Sequence, residues 1–463
     1  MMSSLVTPDE HRARRQRLRS LVPGPVVLLG NDVQRRNLPG YGFPFRQDST
    51  FAYLTGVHLP QAAVVWDDDR ETLFLPAPHP DDALWHGEVP SLAALGERYG
   101  FADVRDRATL DGHVPPGART LAVPDDRATA TANALCGTRW TFGGTHGDPD
   151  LVRAVIAMRR VKSAAEIAEM RGAAERTFVA YDAVLRSTRP GVTEQALNAL
   201  FEGVLAATGH TVGYGTILTQ RGEILHNHHH DGTLEAGRLL LLDGGGEAPS
   251  GYGCDITRTW PVSGRFDAGQ RAVYDAVLAA QAASIAAVAP GRPYRDVHDA
   301  SARVIAAFLA SEGLIRCDPD EAVAMGAHAV FFPHGVGHHL GLDVHDLENF
   351  GDLPSYPPGV GRSEQFGTRY LRLNLPLEAG WVVTIEPGIY FVPAILRDAT
   401  LRARFAGVVD FDRAARWIGF GGIRIEDDVH VTAAGPDVLT RVPKDADVLE
   451  SLIGTGHAVE ALR

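Results

Sequence analysis

The chain has 463 residues, of which 45% are apolar and 22% charged, enough for two or more buried cores and too apolar for a disordered chain. A net charge of −13 argues against a nucleic-acid surface, and no run approaches the 18 apolar residues of a membrane span. Cys136, Cys254 and Cys317 are too scattered for a disulfide framework, so a cytoplasmic, reducing setting is expected.

Residues 1–155 read as an N-terminal α/β domain. Met1 to Val22 carries Asp9, Glu10 and several arginines without the apolar run of a secretory signal. Val26–Leu29, Ala63–Trp66 and Thr72–Leu75 are short apolar runs between Pro, Gly and Asp, which predicts strands, and Ser91 to Tyr99 predicts a helix. The domain presents no chemistry of its own.

A second domain, α+β, is expected over 156–463. Ser163-Ala-Ala-Glu166 is a capping box, and Ile167, Met170, Ala174, Phe178, Tyr181 and Leu185 follow at helical spacing. Arg189-Pro-Gly191 and Ala289-Pro-Gly291 then mark an internal repeat: each opens a helix, near Gly209 and Gly313 each helix ends, and strand-rich sequence follows. Two related halves would place a site at their seam.

The carboxylates that matter sit in apolar surroundings. Leu239–Asp243 and Tyr252–Arg258 predict strands ending in or holding Asp243 and Asp255, with Cys254 a small buried residue facing the other way. Taken alone, these aspartates read equally well as turn residues. Trp381–Glu386 and Gly422–Val429 predict further strands carrying Glu386 and Glu426, where an unpaired charge would be costly; for Glu426 an ordinary salt bridge is the alternative. Alternation pairs Thr384 with Glu386 and Arg424 with Glu426, and Thr257 with Asp255, so the threonines can orient the carboxylates. Among the histidines, His226 and His228–His230 read as a solvated loop, whereas Pro333-His334-Gly-Val-Gly-His338 and His345 place imidazoles between glycines that admit close backbone approach. Four carboxylates and an imidazole gathered in an interior need cations, and two hard divalent ions would supply them.

These stretches, in the order Asp, Asp, His, Glu, Glu, resemble the metallopeptidase family that includes methionine aminopeptidase, aminopeptidase P and prolidase, whose catalytic fold is called pita-bread. The resemblance implies that Asp243, Asp255, His338, Glu386 and Glu426 hold two divalent ions, with Asp255 and Glu426 bridging them; manganese is the usual metal of the proline-specific branch, with zinc or cobalt as replacements. That branch is similar also at His226, His334 and His345, which surround the scissile peptide, at Arg424, which supports the ligands, and at Phe45–Gly56 of the N-terminal domain.

The resemblance further implies hydrolysis of the Xaa-Pro bond by a hydroxide bridging the ions, with Glu386 as general base and the histidines stabilising the oxyanion. Within the branch, prolidase-like dipeptide cleavage is expected from Arg372, at the spacing of an arginine for the substrate's free carboxylate, and from the long insertion between Glu386 and Glu426; aminopeptidase P action on longer peptides is the alternative. A non-catalytic binding protein of the same fold is a third reading, which the five filled ligand positions weigh against. A homodimer is implied, with Trp85 of a neighbouring subunit closing the pocket, although Trp85 reads equally as a core residue. His339, where the family has an aromatic, and a loop between Asp243 and Asp255 that is one residue longer than usual depart from the pattern.

Overall fold

Most apolar runs become strands where the sequence predicts them. The computed structural model describes residues 4–38, 40–67 and 70–456, which divide into two compact units: 1–160 with 347–354, and 161–346 with 355–463. In the first, Val26–Leu29, Ala63–Trp66 and Glu71–Leu75 pair antiparallel and Asp103–Asp106 adds in parallel, giving a four-stranded sheet. The helix Leu92–Tyr99 is capped by the Ser91 side chain and closed by Gly100 in the left-handed region. Val27, Leu29, Ala63, Val65 and Phe74 form its core. The arginine-rich start is the helix Pro8–Leu21, and Arg15 is fully buried, paired with Glu71 and donating to the Leu54 carbonyl at 2.8 Å. These arginines are thus partly structural.

The second unit carries the repeat. The Ser163 capping box opens the helix Ala164–Ser187, followed by Glu194–Ala207; the second pair is Ala268–Ala287, opened by an Asp267–Gln270 capping box, and Tyr294–Ser311. The two Pro-Gly turns are built alike. Gly191 N donates to Leu234 O and Gly291 N to Leu377 O, while single bridges join Thr193 to Thr233 and Pro293 to Pro376. Each half therefore folds its second helix back along a following strand-like segment by the same bonds.

The first half supplies the sheet Ile217–Thr219, Leu239–Asp243, Thr257–Pro261; the second supplies Val382–Ile385, Asp427–Thr432, Gly435–Val438. The short ladder Gly388–Tyr390 with Gly422–Arg424 lies between. The halves are stitched where Glu426 N donates to Thr257 O at 3.0 Å. One apolar core runs through this unit, from Leu197 and Phe201 through Trp260 to Val383 and Ile425. Among the described residues, no helix is long and apolar enough to cross a membrane.

Two strand boundaries differ from expectation. The second hairpin strand is Thr257–Pro261 rather than 252–258, so Asp255 lies in the segment leading into it. There the Asp255 amide donates to the Asp428 carboxylate at 3.1 Å instead of to a neighbouring strand. Glu386 and Glu426 lie at strand ends, not inside continuous strands: Pro387, which lacks an N–H, follows Glu386, and at Glu426 the chain leaves one partner strand for another.

Candidate metal centre

Asp243 ends the central strand of the first sheet, directly opposite Thr257. Across the seam, Thr257 Oγ1 donates to Glu426 Oε2 at 2.7 Å and accepts from Arg424 Nε at 3.1 Å. Arg424 also donates to Asp243 Oδ2 at 2.5 Å and to the Tyr390 hydroxyl at 3.0 Å. Tyr214, which sequence reasoning did not single out, places its hydroxyl against both Asp243, at 2.6 Å, and Asp255. Asp255, His338 and Glu426 bring one ligand atom each within 4.8 Å of one another. Glu386 Oε1 is 3.9 Å from His338 Nε2, so the five residues read from the sequence share one locus.

The tautomer of His338 follows from its partners. Nδ1 lies 2.9 Å from the His339 carbonyl, which can only accept, so Nδ1 carries the hydrogen and Nε2 turns its lone pair toward Asp255 Oδ2 at 3.4 Å. Thr384, expected beside Glu386, receives the His338 amide on its hydroxyl at 3.1 Å. Gly337 is required here, because a Cβ would lie 2.2 Å from the Thr384 carbonyl. His339 is buried edge-on to Trp381, behind the site.

Electrostatics test whether metal fits. Burial, then the neighbouring carboxylates Asp255 and Glu386, push Glu426 well above the usual carboxylate range. Burial raises Asp243 and Glu386 too, although Arg424 opposes it at Asp243 and His338 at Glu386. Burial acts likewise on Asp255, but in the metal-free cage a His338 that takes a second proton on Nε2 donates to this carboxylate and lends it charge, so the carboxyl is lowered; a metal ion would take the place of that proton. Asp428 behind Asp255 is raised by burial and by that aspartate's charge, and its Oδ1 has no hydrogen-bond partner among the described residues. So much buried carboxylate beside Arg424 is an anionic oxygen-rich cage, and divalent cations fit it.

Glu386 is the most open of the ligands, its side chain 19% exposed where Glu426 and Asp255 are sealed at the back. His334 Nδ1 lies 3.8 Å from Glu386 Oε2 and 2.7 Å from the Gly335 carbonyl, so Nδ1 carries a hydrogen and Nε2 accepts from the Tyr390 hydroxyl at 2.9 Å. Burial, then Arg424, lowers His334 to about 3, and it is neutral. The donors thus run from Arg424 through Tyr390 to His334. His345 is exposed and stacks on His338, ring centres 3.9 Å apart. His226 keeps an exposed edge but is partly desolvated by the surrounding protein, which, with the charge of Arg424, lowers it; it feels Asp243 and Arg372 as well.

Arg372 is half-buried between Leu371 and Leu373, both turned into the core. Trp85 stands on the short helix Asp82–His86 of the first unit and is 75% exposed, so it is not a core residue. Cys254 is buried against Thr177, as its small apolar character suggests. Tyr214 and Tyr390 could have been found only as aromatics near small residues, in Gly213-Tyr-Gly215 and Pro387-Gly-Ile-Tyr390, a weak signal.

Residues 168–433 match the metallopeptidase family M24, and residues 11–120 match the aminopeptidase P, N-terminal domain. The chain is 33% identical over 448 residues to Xaa-Pro dipeptidase of Homo sapiens, covering 92% of this chain and 88% of that one. It is 32% identical to a probable Xaa-Pro aminopeptidase of Verticillium alfalfae, with 97% of each chain covered. The structure of Pseudomonas aeruginosa aminopeptidase PepP superposes with a TM-score of 0.78 at 31% identity, covering 96% of this chain and 97% of that one. The fold and the carboxylate–histidine cage define a hydrolytic metalloenzyme of two-domain, pita-bread type. The chain belongs to metallopeptidase family M24.

Proposed function

We propose that this enzyme hydrolyses the Xaa-Pro peptide bond, with dipeptides as its preferred substrates. The observation that carries the choice of dipeptides is the setting of Arg372. Its segment lies against Gly335, whose added Cβ would be 3.0 Å from the Leu371 Cα, and so beside His334. After burial and Arg424, the Arg372 charge contributes to lowering both His226 and His334. A guanidinium held there, near the histidines that flank the ligands, suits a carboxylate one residue beyond the scissile bond.

Asp243, Asp255, His338, Glu386 and Glu426 would hold the divalent ions, which when bound would supply polarisation of the peptide carbonyl and acidification of the attacking water. The remaining steps belong to the protein. Glu386, facing the opening, takes the proton from water and delivers it to the proline nitrogen as the bond breaks. His345 and His226 donate toward the oxygen that gains charge, and His334, aligned by Tyr390, presents its Nδ1–H beside Glu386. An Xaa-Pro amide has no N–H, so recognition must rest on ring shape and on the carboxylate.

Manganese as the metal, a homodimer and a cytoplasmic setting belong to the same proposal. They are supported by the oxygen-rich donor set, by the exposed Leu84 and Trp85, and by three free cysteines. The test compares Gly-Pro with Gly-Pro-Ala on the manganese-loaded enzyme and its Arg372→Ala variant. Preference for Gly-Pro that the substitution abolishes is expected. Equal use of both peptides, unaffected by the substitution, would transfer the assignment to aminopeptidase action on longer chains.

A further inference from the structure

Arg372 has no helix or strand of its own to hold it. It follows a single 3₁₀ turn, Thr368–Tyr370, and lies in an irregular segment, where a flexible guanidinium would lose its aim. The backbone just before it is nonetheless tied at both of its polar groups. Leu371 N donates to Thr368 O at 3.1 Å, and Leu371 O accepts from the buried Tyr356 hydroxyl at 2.6 Å and from Arg362 Nη1 at 3.4 Å. The Arg362 guanidinium also lies over the Tyr356 ring, 5.6 Å from its centre, and Asn374 N donates to Ser355 O at 2.8 Å, which closes the brace on the far side of Arg372. Opposite the brace, the same segment presses on Gly335, where a Cβ would meet the Tyr370 carbonyl at 3.1 Å.

We infer that Tyr356, assisted by Arg362, is a specificity-positioning residue: it clamps the Leu371 carbonyl against the His334–Gly335 backbone and so fixes the distance between Arg372 and the catalytic histidines. This rests on the reading of Arg372 as the receiver of the dipeptide carboxylate. A brace of this kind selects length. With the guanidinium fixed, a free carboxylate one residue past the scissile bond meets a prepared charge, whereas a longer peptide places an uncharged amide there and gains nothing from it. Tyr356 is a positioning residue: its hydroxyl holds the Leu371 carbonyl, and through that backbone it sets Arg372.

The experiment uses the full-length, manganese-loaded enzyme with two substrates, Gly-Pro and Gly-Pro-amide, which differ only in the free carboxylate. Tyr356→Phe keeps the ring beneath Arg362 and removes the single hydroxyl. It is expected to raise KM for Gly-Pro roughly three- to tenfold, the worth of one hydrogen bond, with kcat unchanged and Gly-Pro-amide kinetics unaffected. Arg372→Ala is expected to raise KM for Gly-Pro further, and adding Tyr356→Phe to it should then have no further effect on either substrate. If Tyr356→Phe slows both substrates equally, or leaves the Gly-Pro KM unchanged while Arg372→Ala raises it, the positioning role is overturned and the Arg372 reading survives. If Arg372→Ala fails to distinguish Gly-Pro from its amide, the dipeptide-carboxylate reading itself falls and takes the brace with it.

Discussion

Replacing Arg424 with methionine should separate the electrostatic design of the site from its packing. The Arg424 side chain is 4% exposed and bonds at once to Asp243, Thr257 and Tyr390. Methionine fills much of the same volume but leaves Asp243 without its cation and removes the donor that aligns Tyr390 on His334. Breaking one side of a buried ion pair costs about 3–5 kcal/mol, because the abandoned carboxylate stays buried. For a unit of about 300 residues that corresponds to a fall in Tm of roughly 5–8 °C for the metal-free protein. The loss should be partly reversed by manganese, since a cation at the cage neutralises the same carboxylate, and the wild type should gain less from the metal in relative terms. Arg424→Lys, which keeps a charge but not the fork, should fall between the two. Scanning calorimetry of the three proteins, each with chelator and with manganese, reads this out. A metal-free Arg424→Met protein within about 1 kcal/mol of wild type would refute the claim that Asp243 depends on this arginine.

Other expectations follow from single contacts. Gly245→Ala would put a Cβ 1.8 Å from the Cys254 carbonyl, forcing apart the two chain segments that carry Asp243 and Asp255; metal content per chain, measured by plasma emission spectrometry, should drop sharply even in protein that stays folded. Thr257→Val keeps shape but removes the hydroxyl that donates to Glu426, so manganese affinity by titration calorimetry should weaken about 10–100-fold. His328 is lowered by burial to about 4, against an unfolded value near 6.5, so it stays neutral in the fold while the unfolded chain takes up a proton. Its contribution is therefore complete above pH 6.5 and is lost as pH falls toward 4, about 3 kcal/mol in all. Urea unfolding at pH 7 and pH 5 should show a smaller difference in His328→Leu than in wild type; an unchanged difference would place the acid sensitivity elsewhere.

How much of this was readable beforehand depends on whether a signal is local. The Ser163 capping box, the strands of the first unit and the paired Pro-Gly turns are written in contiguous residues, and they form as read. The five ligands stood out because each carboxylate or imidazole follows an apolar or glycine-rich run that has no other use for it. Strand ends were less legible: nothing within 252–258 tells that the Asp255 amide is claimed by Asp428, 173 residues on. The same distance in sequence hid Tyr214, which reaches Asp255 across 41 residues, and Tyr356, whose hydroxyl finds a backbone carbonyl 15 residues later in an irregular segment. Such partners have no periodicity to betray them, since a tyrosine near glycine reads as core until the fold brings its hydroxyl to a carboxylate.

On the proposed function, the carboxylate–histidine cage holds two divalent ions and Xaa-Pro hydrolysis depends on them. Chelator-stripped protein titrated with manganese, with the initial rate of proline release from Gly-Pro followed at each addition, tests it most directly. The rate should rise from none to a plateau at two ions per chain, and Asp255→Ala should abolish both the binding and the rate. Full activity in the stripped protein, or two bound ions with no hydrolysis of Gly-Pro or any longer Xaa-Pro peptide, would contradict the account.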